Sequence, residues 1–159
     1  MRSDNRLSRM LHVLIHMDRH DAPMTSEKIA GMLCTHAVVV RRMLGGLRDN
    51  GYVQSDKGHG GGWVLTVSLD ELTLLDVYRA LGEPPVFALG MTDDEAQCLV
   101  EQAVNARIAQ TLKNAEALLL EQFGDVTVGD IARDFEDRFA KKTRGAKGTP
   151  LAPHKPHHK

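Results

Sequence analysis

Residues Lys57 to Trp63 read KGHGGGW: four glycines and a histidine between a basic residue and the chain's single tryptophan. A phosphate-cradling P-loop would close its glycines with Lys-Ser or Lys-Thr and run into a helix. A dinucleotide loop would also be followed by a helix. Here Trp63 and the β-prone run WVLTV follow, and YVQSD precedes. The glycines are therefore read as a tight turn with positive φ and no side-chain bulk, at the tip of a β-hairpin. Such a thin wing can lie in or near a minor groove with Lys57 and His59 close to phosphates. The alternative is a hairpin tip that touches nothing. Trp63 is expected to pack at the base of the wing.

Three helical segments come before the hairpin. Ser3 can cap the first, in which Leu7, Met10, Leu11, Leu14 and Met17 recur at helical spacing until HDAPM breaks the pattern. A second runs from about Thr25 or Ser26 to Leu33, with Ile29, Ala30 and Leu33 inward. After the tight turn CTH, Thr35 can cap a third that runs to Asn50 and stops at Gly51. After the hairpin, Thr73 and Asp76 have capping-box spacing and open a helix that Gly82 ends. Three short helices, a hairpin and a further helix form the order of a winged helix-turn-helix. The predicted fold class is mainly α with a small β-hairpin, a winged helix-turn-helix plus a long dimerisation helix.

The third helix can be read residue by residue. If Val40, Met43, Leu44 and Leu47 are buried, about 100° per residue puts Val38, Arg42, Gly45 and Asp49 opposite them, with Arg41 and Arg48 on a flank. An exposed Val38 makes sense against a thymine methyl in a major groove, and Arg41 and Arg42 can reach phosphates or guanine edges. Gly45 would permit close backbone approach. Thr35 and His36 lie at the helix N-terminus, where phosphate is favoured. Ser26, at the start of the second helix, joins Thr35, His36, Val38, Arg41, Arg42, Lys57 and His59 as a candidate DNA contact. The plain alternative is a merely solvated face.

The rest of the chain differs in character. EPPVFALGM is a linker. Thr92 and Glu95 form a second capping box, opening a long helix to about Phe123, with Val104, Ile108, Leu112, Ala115 and Leu119 on one stripe. Thr127 and Asp130 open a last helix. From Lys141 on, Lys, Gly, Pro and His predominate and disorder is expected. Net charge is +3 over residues 1–65, −10 over 66–139 and +6 over 140–159. A basic front favours polyanions and an acidic middle is kept away from them. The division expected is a DNA-binding domain over 1–82, a linker and helical dimerisation region over 83–140, and a basic tail over 141–159.

The stretch VVVRRMLGGLRDNGYVQSDKGHGGGWVL followed by LTLLDVYRALGE resembles the Rrf-two family of bacterial winged-helix regulators. The resemblance spans Met1 to about Phe135 and is strongest from Thr25 to Glu83. It implies a homodimer whose long helix crosses to the partner, and repression of transcription. The apolar stripe supports a helix partner independently, an ordinary intrachain core helix being the alternative. A two-fold dimer implies double-stranded DNA with a palindromic operator. Cluster-binding members of the family carry three cysteines before the long helix. Here only Cys98 stands at about the last of those places, too few thiolates for an iron–sulfur cluster. Asp93, Asp94 and Glu95 better serve as N-terminal helix charges. No cofactor and no metal are expected.

Regulation stays open between several readings. Cys34, in the turn before the recognition helix, and Cys98 are redox candidates; Cys34 can equally be a small buried hydrophobe. A small ligand or a partner protein can act at the 82–92 linker. His12, His16 and His20 line one helix face at metal-binding spacing, but no carboxylate or cysteine clearly completes a site. No nucleophile with a paired base and no nucleotide loop is present, so the chain does not read as an enzyme. The charged N-terminus and the lack of a long apolar run predict a cytoplasmic protein with no membrane partner. A winged-helix protein-interaction module without DNA binding is the remaining alternative.

Overall fold

The computed structural model describes residues 4–91 and 98–145. In chain order the elements are α1 (Arg6–Asp18), α2 (Ser26–Leu33), α3 (Ala37–Asp49), β1 (Val53–Asp56), β2 (Gly62–Leu65), α4 (Leu74–Ala80), α5 (Leu99–Asp125) and α6 (Val128–Gly145). The core lies where α1, α2, α3 and α4 meet the base of the hairpin. Met10, Val13, Leu14 and Met17 of α1 face it, as do Val40, Met43, Leu44 and Leu47 of α3. Both sets recur every three or four residues, the spacing that puts one stripe of a helix inward.

Local chemistry sets the boundaries. Thr25 caps α2 by accepting the Lys28 amide, which settles the start left between Thr25 and Ser26. The end of α2 is a left-handed turn at Cys34, φ 49°. There the Thr35 amide donates back to the Ala30 carbonyl at 3.0 Å. Thr35 thus belongs to the closure of α2, and the expectation that it caps α3 is corrected. His36 is the N-cap of α3, and no side chain caps that end. The expected Ser3 cap lies outside the described residues; α1 starts after Asn5, where Asp4 accepts from the Arg6 amide.

The strands β1 and β2 pair antiparallel from Val53↔Leu65 to Asp56↔Gly62. A third piece of strand, one residue long, joins them: Met24 exchanges both backbone hydrogen bonds with Trp63, at 3.1 and 2.9 Å. A Cβ on Gly62 would come within 2.9 Å of the Met24 backbone, so this seam needs glycine there. At the tip, Gly58 and Gly60 have φ 103° and 78°, the positive values expected of this turn.

Thr73 and Asp76 form the expected capping box of α4, and Thr127 and Asp130 exchange the same pair of bonds at the start of α6. Isolated pairing of Thr73 with Thr127 brings the two helix starts side by side, and Val128 is wholly buried in the core. From there α6 runs along α1, where Arg19 pairs with Glu136 and lies 5.0 Å over the Phe135 ring. The long helix, expected from Thr92, is described from Leu99; the Thr92–Glu95 box and Asp93 and Asp94 lie outside the described residues. The disorder expected from Lys141 is corrected for its first residues, since α6 continues to Gly145. No glycine or proline falls between Lys141 and Arg144, and Lys142 and Arg144 suit the negative end of a helix. The rest of the tail lies outside the described residues.

Candidate nucleic-acid interface

One side of the molecule combines α3, the start of α2 and the wing. The buried stripe of α3 fixes its rotation, so Val38, Arg41, Arg42, Arg48 and Asp49 all point outward. Val38 is 63% exposed although it is a β-branched hydrophobe in the first turn. Gly45 is on the same side, with no atom within 4 Å of where its Cβ would stand. The uncapped start of α3 leaves amide donors for an outside acceptor, and His36 is exposed beside them.

The cations on this face are not equivalent. Arg41 pairs with Glu27 of α2 at 2.5 Å, and Arg48 pairs with Asp49 at 3.1 Å. Arg42 makes no hydrogen bond or ion pair among the described residues. Exposed ion pairs of this kind contribute little to stability and exchange readily for a phosphate. Between α3 and the wing lies an open notch of about 360 Å³, with Arg41 and Arg48 on one wall and Asp56 and Gly58 on the other. Lys57 and His59 are exposed at the tip above it.

Ser26 is placed differently from the other candidates. It is 7% exposed, and its hydroxyl accepts the indole N–H of Trp63 at 2.9 Å. The hydroxyl thus braces the wing base against α2, and Ser26 also lines the notch beside Arg41. Thr35 is half-buried in the turn. Two features went unpredicted. Met24 ties the hairpin to the loop before α2, a pairing carried by backbone that no side-chain pattern announces. The notch between wing and helix joins Arg41 and Arg48, seven residues apart and so two helical turns along one face.

A match to the family model described as Rrf2, iron-dependent transcriptional regulator, extends over residues 3–134. The chain belongs to the Rrf2 family. No curated protein matches this Rrf2 chain. Among solved structures, it is similar to a candidate transcriptional regulator from Lactobacillus plantarum, at 19% identity and TM-score 0.72, covering 90% of this chain and 99% of that one. It is also similar to CymR of B. subtilis, the global cysteine regulator, at 24% identity and TM-score 0.54, covering 84% and 97%. For IscR of T. potens the values are 17%, 0.55, 87% and 90%. These likenesses establish the winged-helix fold.

The family description raises the question of iron. The two cysteines of this Rrf2 chain occupy separate places, Cys34 ending α2 and Cys98 as N-cap of α5. Among the described residues, no three His, Cys, Asp or Glu side chains gather in a metal-holding group. His12 and His16 meet edge to face at 4.7 Å without a third ligand. That donor set does not fit an iron–sulfur cluster held by about four ligands. Both cysteines are exposed, which excludes the buried-hydrophobe reading of Cys34. The backbone amides of Glu101 and Val100, in the first turn that follows Cys98, hold its thiol below the usual range.

The dimerisation candidates all lie on α5, a helix of 27 residues with none buried. Val104, Ile108 and Ala115 are exposed, and Leu112 and Leu119 are half-buried. Leu99 and Val100 extend the apolar surface, at 78% and 71% exposure. Its far end is anchored against α4, where Phe123 meets Tyr78 edge to face at 5.9 Å. No helix among the described residues is long and apolar enough to cross a membrane.

Proposed function

We propose that this chain is a dimeric, sequence-specific DNA-binding transcription regulator acting as a repressor. The α3 helix enters the major groove, and the glycine-rich wing lies in or near the minor groove. The observation that carries this reading is Val38. A hydrophobe exposed at the start of a helix, flanked by Arg41 and Arg42, is costly in water and useful against a thymine methyl. Of the three arginines on this face of α3, Arg42 is the one that makes no hydrogen bond or ion pair among the described residues, and so the one most available to a base edge. Arg42→Ala should weaken operator binding by about 1–3 kcal/mol if it reads a base. Unchanged affinity would remove it from the interface.

The dimer reading rests on the exposed stripe of α5, which needs a helix partner in water. The two half-sites would then repeat about one helical turn apart on a palindromic operator. As for the signal, exposure of both thiols supports redox control: oxidation at Cys34, in the turn that sets the angle between α2 and α3, would tilt the recognition helix. Mild oxidation should release the operator reversibly from the unaltered protein and not from Cys34→Ser. Full response of that variant would discard the switch. A second reading, a small ligand or partner at the linker, is favoured by Phe87, Leu89 and Met91, all exposed on a segment without helix or strand. The 1–82, 83–140 and 141–159 division remains the working one, with α6 contributing Val128 to the first unit's core.

A further inference from the structure

A second cavity, of about 440 Å³, opens between the start of α1, one flank of α3 and the end of α4. Its floor is apolar: Val39, Met43, Ala80 and Leu81. Its rim carries Asp4, Arg6 and Arg42. The volume lies within the range of small-molecule sites, and an apolar lining with a few convergent polar groups is the usual composition of one.

The charges on the rim are unequal in their availability. Arg6 is held by Asp4 at 2.6 Å and also donates to the Leu81 carbonyl at 3.4 Å. That bond ties the start of α1 to the end of α4. Arg42 has no such partner among the described residues. Among the described lining residues, one carboxylate against two guanidiniums leaves a net charge of +1. A single negative charge balances it; a dianionic phosphate monoester would overshoot and face the Asp4 carboxylate.

We infer that this cleft binds a small aliphatic monocarboxylate. The carboxylate would take the two parallel N–H donors of Arg42, the geometry in which guanidinium and carboxylate match best. The alkyl chain would lie on Val39, Met43 and Leu81. Gly46, whose Cβ would stand 2.1 Å from the Ala80 carbonyl, shows how closely α3 and α4 approach just beyond the cleft. A ligand there bears on both helices and on the segment that leads into the linker. It also occupies Arg42. Competition with the operator therefore follows, and this last step rests on the DNA-binding reading given above; occupancy of the cleft does not.

The test is a methyl-NMR titration of the full chain without DNA, using acetate, hexanoate, octanoate and the uncharged analogue hexanol. Hexanoate or octanoate should shift the Met43 and Leu81 methyls saturably, and acetate and hexanol should bind about tenfold or more weakly, lacking the chain and the charge respectively. Arg42→Ala should weaken binding by a similar factor, and Val39→Phe, which fills the cleft from its half-open side, should abolish the shifts in a protein that melts as before. The inference is overturned if no carboxylate saturates, if hexanol binds as well as hexanoate, if Arg42→Ala binds unchanged, or if the shifts persist in Val39→Phe. Addition of hexanoate to an operator complex then reads the coupling separately: saturation of the cleft with no release of DNA would overturn the competition alone.

Discussion

Trp63 is the only tryptophan, and its indole N–H is buried against Ser26. A buried donor left without an acceptor costs more than the bond it loses. Ser26→Ala should therefore destabilise the fold by about 1–3 kcal/mol in a urea titration. A loss too small to measure would mean that the wing base relaxes enough to admit water. The pair also marks a limit of reading residues singly. Its place between the glycine loop and a β-prone run put Trp63 at the wing base, but Ser26 stands at a helix start where serine commonly meets solvent or phosphate. Only the fold brings it under a side chain 37 positions away. Val38, Arg41 and Arg42 were legible because the buried stripe of α3 dictates what must face outward. The ion pair that Arg41 makes with Glu27 was not, since it depends on the angle between two helices.

Two adjacent glycines of α3 separate stability from function. Gly45 faces open space, and Gly46 faces the Ala80 carbonyl at 2.1 Å from its would-be Cβ. Gly45→Ala should raise stability by up to about 1 kcal/mol, the helix preference for alanine, while weakening DNA binding if the backbone approaches the groove. Gly46→Ala should lower stability, because α4 would have to move. Equal effects of the two in thermal melts would contradict this placement. At the start of α6, the Thr127 amide and Arg133 hold the Asp130 carboxyl below its usual range. The folded form thus keeps its charge to lower pH than the unfolded chain does. Its stabilising contribution is complete above the ordinary Asp value of about 3.9 and is lost as pH falls through the lowered one. Asp130→Asn should flatten the acid side of a stability-versus-pH curve measured by circular dichroism. Caps at Thr73 and Thr127 could be read in advance because each is a local bond across three residues. The cap expected of Thr35 failed because its amide is consumed by the preceding helix, and Met24 escaped notice because a one-residue strand has no pattern.

At the scale of the whole molecule, α5 is the element that the isolated chain leaves unsatisfied. An apolar stripe at helical spacing can be seen in the sequence, but its partner cannot, since the same stripe serves an internal core or another chain. The structure shows that α5 buries none of its residues within the chain. Val104→Glu combined with Ile108→Glu should yield a monomer by analytical ultracentrifugation while preserving the helical spectrum of the wing domain; a persistent dimer would place the interface elsewhere. The alternation of charge along the chain, basic in front and acidic behind, fits one face turned to DNA and another turned away. That orientation is the central claim. Its most direct test is a fluorescence-anisotropy titration of the reduced protein onto the DNA upstream of its own gene and onto a shuffled duplex of equal length, over a range of salt concentrations. Affinity that falls steeply with salt on both duplexes, and is about a thousandfold or more tighter on the upstream DNA, is the predicted result. Equal affinity on the two duplexes, or binding indifferent to salt, would contradict it and leave the winged helix as a protein-interaction module.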